Sequence, residues 1–248
     1  MFLMKPTMVV LAGLILWSTA MAQQPSDPCA SLKEDQQAME SRLRDWPDLA
    51  KYQEDDAKLG PPARGESRVV FLGDSITEFW ALSDSFLGKP YVNRGISGQT
   101  TPQILLRFRQ DVIALKPKVV VILAGTNDIA ENTGPTTLAA IEDNLTSMVD
   151  LAERNGIRVV LSSLLPALQY PWRPDLAPAE KIRALNDWMK DYAAKEGLVF
   201  IDYHSAMAND KRGLKAELSA DGVHPNKAGY AVMAPLAEKA IAAALSKN

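Results

Sequence analysis

Five short runs of apolar, largely β-branched residues recur along the chain: Arg68–Leu72, Tyr91–Asn93, Lys118–Ala124, Ile157–Leu164 and Leu198–Asp202. Runs this short and this continuous read as strands buried on both faces. Between and after them, three sets of apolar residues keep helical spacing: Leu138, Ile141, Leu145, Met148, Val149 and Ala152; Ile182, Leu185, Trp188, Met189 and Tyr192; and Met233, Leu236, Ala237, Ala240, Ile241 and Ala244. Strand and helix in alternation predict an α/β fold, a parallel sheet covered by helices on both faces. Such a sheet collects its functional residues in the loops at the carboxyl ends of its strands.

The segment ahead of the first strand has a different character. Lys5 precedes an apolar run, Met8 to Trp17, and Ala20-Met21-Ala22 supplies small residues at both positions of an export cleavage site. The run is short for a membrane span, which takes about 20 apolar residues. The reading is a signal peptide over residues 1–22, a mature chain beginning near Gln23, a secreted or periplasmic protein, and no stable membrane insertion after cleavage. Cys29 does not follow a lipobox-like sequence. Residues 23–65 read as a helical extension and linker, with Leu32, Met39, Leu43, Trp46, Leu49 and Tyr52 as one loose helical face, divided at Pro47 and packed on the outside of the main domain. Gly60 to Gly65 is the linker, and the main domain spans residues 66–248.

Composition removes several classes of function. A net charge of −3 argues against nucleic acid or an anionic membrane surface as the main partner. Cys29 is the single cysteine, so no internal disulfide can form, and His204 and His224 are the two histidines. That excludes the H-E-x-x-H and C-x-x-C metal motifs. No cofactor is called for, and an all-oxygen site on Asp74 and Asp128 is the one metal alternative left.

The predicted rim loops read, in order, Gly73-Asp74-Ser75, Arg94-Gly95-Ile96-Ser97-Gly98, Gly125-Thr126-Asn127-Asp128, Leu165-Pro166, and then His204 after Asp202; a further loop from Ala220 to Asn226 precedes the last helix. A hydroxyl, a glycine loop, a carboxamide and an Asp-x-x-His pair on one rim are the parts needed for nucleophilic acyl transfer. Ser75 is a weak nucleophile until a base takes its proton, and His224 can be that base. Asp221, three residues earlier, can fix the histidine tautomer and stabilise the imidazolium. The backbone N–H groups of Ser75 and Gly95 and the Asn127 amide can meet the oxyanion. Plainer readings stand beside these: Ser75 and Asp221 as helix-entry caps, Asn127-Asp128 as a turn, and His204 as a competing base or, more simply, a structural histidine.

Taken together, Gly73-Asp74-Ser75-Ile76, Gly95, Gly125-Thr126-Asn127-Asp128 and Asp221-Gly222-Val223-His224 resemble the four blocks of the SGNH hydrolases, the GDSL esterase/lipase family. Ile76 stands where Leu is usual. Thr77 occupies the place of the second glycine of G-x-S-x-G, so the larger α/β-hydrolase elbow is absent. The resemblance implies a three-layer α/β/α sandwich with a five-stranded parallel, flavodoxin-like sheet. It implies Ser75, Asp221 and His224 as catalytic residues and Ser75, Gly95 and Asn127 as the oxyanion hole. The stretch from Gly95 to Thr101, with Leu165-Pro166 and Tyr170-Pro171-Trp172-Arg173, is similar to secreted members acting on short acyl esters, including carbohydrate acetylesterases and relatives of platelet-activating-factor acetylhydrolase. On that likeness Pro166, Tyr170 and Trp172 are the substrate-binding candidates, and a small-molecule or glycan ester is the expected partner. An O-acyltransferase, a lysophospholipase or lipase-like acylhydrolase, and a non-catalytic carbohydrate-binding relative are the competing readings. The exported product should begin at or close to Gln23, and its intact mass will show this; retention of Met1 would remove the signal-peptide reading.

Overall fold

The computed structural model describes residues 43–247, together with Leu32, Lys33, Gln36, Gln37, Met39 and Glu40. The apolar leader run, Ala20-Met21-Ala22 and Cys29 lie outside the described residues. The chain divides into residues 1–40 and residues 41–248. Those residues of the first unit that are described are helical, with Gln36 Nε2 donating to Glu40 Oε1 at 3.1 Å.

In the second unit, α1 (Gln53–Leu59) precedes an α/β/α arrangement built on five strands: β1 (Val69–Gly73), β2 (Tyr91–Gly95), β3 (Val119–Leu123), β4 (Arg158–Ser162) and β5 (Val199–Ile201). All pair in parallel, in the order β2-β1-β3-β4-β5. Side chains alternate across a strand, so each strand feeds two cores. Val70, Leu72, Val120 and Ile122 pack with Ile104, Phe108, Ile141, Leu145, Met148, Ile182, Leu185 and Met189 on one face. These come largely from α3 (Thr101–Leu106), α5 (Leu138–Arg154) and α6 (Ala179–Lys195). Val69, Phe71, Val119 and Val121 pack on the other face with Trp80, Met233, Ala237 and Ile241. The last three belong to α7 (Lys227–Ser246). That helix is long and apolar enough to cross a membrane by composition, but its apolar stripe is spent on the sheet. Trp188 and Tyr192, read from the sequence as part of a buried face, lie at its margin and stack on each other at 4.9 Å.

The first two strands extend differently from the sequence reading. β2 continues through Arg94 to Gly95, because the parallel register with β1 pairs Leu72 with Arg94 and Gly73 with Gly95. A polar Arg-Gly ending hid that extension. Because the chain steps from β1 to β2 on one side and then to β3 on the other, the carboxyl end of β1 is a topological switch point, the place where such sheets leave a crevice.

Arg107 ties this end of the sheet together from inside. It is wholly buried, and its guanidinium donates to Gly73 O (2.9 Å) at the end of β1, Arg94 O (2.9 Å) on β2, Gln99 Oε1 (2.6 Å) and Asp111 Oδ2 (2.8 Å). Burial pulls the Arg107 pKa down and pushes the Asp111 pKa up, and the attraction between the two opposes both shifts.

Residues 45–59 are held against this region by polar contacts, not by the apolar helical face that the spacing suggested. Leu43 is 78% exposed and Trp46 41% exposed. Their neighbours instead offer backbone carbonyls: Gln103 Nε2 donates to Trp46 O (2.7 Å), Gln99 Nε2 to Pro47 O (2.8 Å) and Gln110 Nε2 to Leu49 O (2.6 Å). The Tyr52 hydroxyl donates to Gly95 O, Arg94 lies 4.5 Å over the Tyr52 ring, and Arg94 Nε donates to Asp56 Oδ1 at 3.0 Å.

Arg107→Met should cost about 3–5 kcal/mol in urea unfolding, because Asp111 is left as an unpaired buried charge. Arg107→Met combined with Asp111→Leu should recover part of that loss, since removing both charges avoids the unpaired one.

Candidate active site

Ser75 opens α2 (Ser75–Glu78) two residues beyond the end of β1. Asp74 is the N-cap, its Oδ1 accepting the Ile76 N–H at 3.0 Å. Gly73 is required by crowding: a Cβ there would overlap Thr77 Oγ1 and the Leu123 carbonyl oxygen. Gly95 is required for the same reason. A Cβ on it would lie 2.6 Å from the Thr77 carbonyl carbon and closer still to the Glu78 nitrogen. The helix carrying Ser75 therefore rests directly on the end of β2.

Ser75 Oγ lies 2.9 Å from His224 Nε2, and His224 Nδ1 lies 2.6 Å from Asp221 Oδ2. The second Asp221 oxygen accepts the N–H groups of Val223 (2.9 Å) and His224 (2.8 Å) and the Ser219 hydroxyl (3.1 Å). These bonds fold Asp221–His224 into a tight turn that aims the ring. Burial works to raise the Asp221 pKa; the hydrogen bond to the His224 ring and the two backbone N–H groups outweigh it and hold the carboxyl at about 2. An anionic Asp221 on Nδ1 leaves Nε2 as the acceptor facing Ser75. His204 is not among these contacts: it follows β5, its backbone N–H donates to Ser163 Oγ (2.9 Å), it lines a separate hollow with Asn186, Asp187 and Asp202, and burial lowers its pKa.

The register also brings the candidate oxyanion donors to one rim. Gly95 is the β2 partner of Gly73, Leu123 is the β3 partner, and adjacent strands lie about 4.8 Å apart. Asn127 lies just beyond β3, in α4 (Thr126–Ile129). Its Nδ2 donates to Gln99 O (3.1 Å), and its Oδ1 accepts from Asn132 Nδ2 (2.8 Å). An amide has two hydrogens, so one remains for an oxyanion. The Gly95 N–H already donates to Asn93 Oδ1 at 2.8 Å, so it can reach an oxyanion only by sharing that bond. Asp128, the other acidic residue of this block, accepts from the Thr101 N–H (2.9 Å) and hydroxyl (2.6 Å) and so caps α3.

The three substrate-binding candidates separate. Pro166 is buried and Tyr170 is fully buried, its hydroxyl without a partner among the described residues and its pKa pushed up by burial and by Asp74 and Asp128. Trp172 is 40% exposed; it stacks on Tyr170 at 5.2 Å, donates to Asn132 Oδ1 at 3.0 Å, and lies 6.0 Å from the His224 ring. Phe79, 57% exposed, lies 5.6 Å from the same ring. Arg107, Gln99, Asn93 and Asn132 escaped the sequence reading. For Arg107 there was a signal: a cation one residue before Phe108 and three after Ile104, with Asp111 four residues on.

Asp74 is the odd member. It is 1% exposed, its Oδ2 has no partner among the described residues, and its pKa is raised to about 7, by burial first and by Asp128 beside it, against the Ile76 N–H and His224. An acid whose folded pKa lies above its ordinary value of 3.8 keeps its proton longer in the folded state. Ionising it therefore costs stability, with no cost below pH 4 and the full cost above pH 7. Asp74→Asn keeps the cap and removes the charge, and should raise the melting temperature more at pH 8 than at pH 4.

The GDSL-like Lipase/Acylhydrolase family model matches residues 71–232. The chain is 27% identical over 204 residues to an acetylxylan esterase of Geobacillus stearothermophilus, covering 67% of this chain and 90% of that protein. It is 31% identical over 129 residues to the uncharacterized lipoprotein YqeF of Bacillus subtilis, covering 44% of this chain and spanning 53% of that protein's length. Among solved structures, a GDSL-like lipase from Bacteroides thetaiotaomicron superposes with a TM-score of 0.78 at 42% identity, over 80% of this chain and 98% of that one.

Proposed function

Because the chain belongs to the GDSL-like Lipase/Acylhydrolase family, a class of carboxylic ester hydrolases, we propose that it is a serine esterase cleaving short-chain, chiefly acetyl, esters carried on carbohydrates. The observation that carries the catalytic part is the chain of contacts Ser75 Oγ–His224 Nε2–Asp221 Oδ2 at 2.9 and 2.6 Å. The carbohydrate part draws on the acetylxylan esterase likeness.

In the proposed reaction His224 Nε2 takes the Ser75 proton as Oγ attacks the ester carbonyl. Asp221 holds the imidazolium that results. The oxyanion is met by the Ser75 N–H at the start of α2 and by the free Asn127 amide hydrogen, with Gly95 contributing as its bond to Asn93 is shared. Collapse of the tetrahedral intermediate passes the proton from His224 to the departing alkoxide. Water then repeats the sequence on the acyl-serine, with His224 again as base and Ser75 as the leaving group. Trp172 and Phe79 both lie against the imidazole and limit water around it.

A second reading has its own observation. A groove of about 610 Å³, lined by Phe79, Trp80, Tyr230 and Pro225 among others, opens on the Phe79 side of His224 and would suit a longer acyl chain. Secretion or periplasmic residence with loss of residues 1–22 belongs to the same proposal and draws on the sequence of that segment.

A 4-nitrophenyl ester series from acetyl to octanoyl tests both readings. kcat/KM should fall as the acyl chain lengthens, and Ser75→Ala should lower turnover by several orders of magnitude without loss of fold. Asn127→Ala should cost about 10²–10³ in kcat. A rise toward octanoyl would transfer the assignment to the lipase-like reading, and an active, folded Ser75→Ala would end the serine mechanism.

A further inference from the structure

A second groove of about 610 Å³ runs along the oxyanion side of the site, between residues 45–48 and the loop after α4. Trp46 and Asp48 line one wall, Glu131, Asn132 and Arg173 the other, with Gly98 between them. It adjoins the reaction centre through Gln99, whose carbonyl accepts from Asn127, and through Asn132. Asn132 Nδ2 donates to Asn127 Oδ1 (2.8 Å) and to Gly98 O (3.2 Å), and Asn132 Oδ1 accepts from the Trp172 indole, which stands beside His224.

The chemistry of the walls narrows the ligand. Trp46 is an exposed aromatic whose backbone is fixed: its carbonyl accepts from Gln103, and Asp45 Oδ1 and Oδ2 accept the N–H groups of Leu49 (2.8 Å) and Ala50 (2.9 Å). A flat, exposed ring carried on a fixed backbone at a polar wall suits the apolar face of a pyranose. The Asp48 carboxylate has no hydrogen bond or ion pair among the described residues, and it sits on a backbone of φ +52° at the rim. An ionised carboxylate is an acceptor for two hydroxyl donors. Arg173 is committed to Glu131 (3.3 Å) and Asp175 (3.1 Å), so the groove keeps an acidic balance that disfavours phosphate or sulfate groups. A fatty chain would find polar walls here, unlike the groove beside Phe79.

We propose that this groove is a subsite for the sugar rings of the substrate's alcohol portion, built in part by residues 45–48 ahead of the sheet domain, with Trp46 as the stacking platform and Asp48 as the hydroxyl acceptor. The assignment rests on the carbohydrate-ester reading above and deepens it. It places the glycan on the Asn132 side of Ser75 and leaves the Phe79 side to the acyl end.

Binding tests it apart from catalysis. The full chain carrying Ser75→Ala is titrated calorimetrically with unacetylated xylo-, manno-, cello- and chito-tetraose. At least one should bind, and adding Trp46→Ala should weaken that binding by about tenfold or more. Trp46→Tyr, which keeps an aromatic face, should restore it to within about threefold. Asp48→Gly, which takes the positive φ without strain and removes the carboxylate, should also weaken it. Trp46 meets its neighbours here through its backbone carbonyl, and melting curves verify that each variant is folded. No binding of any tetraose, or binding indifferent to both Trp46→Ala and Asp48→Gly, overturns the subsite. Hydrolysis of 4-nitrophenyl acetate by the wild type, run in parallel, tests the esterase reading separately. Activity there with no tetraose binding defeats the subsite alone.

Discussion

The buried guanidinium of Arg107 is the contact on which the rest of this arrangement depends. A parallel sheet ends in a row of carbonyl oxygens, and where its loops must hold a site those oxygens need fixed donors away from water. Arg107 supplies donors to Gly73 O and Arg94 O on two adjacent strands and to the side chain of Gln99 in the following loop. Gln99 in turn passes its own carbonyl to Asn127 and its amide to Pro47. One cation thus relates the strand that precedes Ser75, the strand that ends in Gly95, the candidate oxyanion amide and the segment ahead of the sheet. Asp111 keeps that charge tolerable in a place where an isolated ion would be severely destabilising.

Two of the buried groups left short of hydrogen bonds lie close to the proposed chemistry. Asp74 carries a carboxyl oxygen with no partner among the described residues directly ahead of Ser75, and Tyr170 carries a similarly unpartnered hydroxyl behind Trp172. Groups left short of hydrogen bonds lower stability, and a carboxyl oxygen left so directly ahead of Ser75 is what is expected where a site, not the fold, sets the residue choice; Asp111 Oδ1 and the Tyr203 hydroxyl are the other two such atoms among the described residues. The outer helices show the opposite pattern. Ile141, Leu145 and Met148 on α5, and Met233, Ala237 and Ile241 on α7, obey period and burial together.

That contrast also explains what could be read in the residues themselves. Period and β-branching are local properties, so the strands, the long helices and the α/β class could be read directly. The rim loops could be read because glycine, serine, asparagine and the Asp-x-x-His spacing are chemically distinctive. The hub around Arg107 could not: its partners lie up to 34 residues away, and the pairing appears only once β1 and β2 are in register. The loose face drawn through Trp46, Leu49 and Tyr52 meets the same limit. Trp46, Leu49 and Tyr52 have the spacing of a buried face, but two of them contribute backbone carbonyls and the third a hydroxyl, and apolar periodicity carries no information about such contacts. Burial of Pro166 and Tyr170 was likewise settled by how the loop folds back, which composition does not encode.

Gly95 leaves no atom-sized slack between the helix of Ser75 and the end of β2, and Gly73 leaves none at the end of β1 toward Thr77 and the Leu123 carbonyl. At Gly95 backbone meets backbone, and backbone atoms have no rotamers through which to yield. The joint behaves as a weld and not as a hinge: it transmits any loosening of the sheet end directly to the serine. Heat inactivation and loss of tertiary structure should then be one event seen by two instruments, with no warm, folded, catalytically idle state between them.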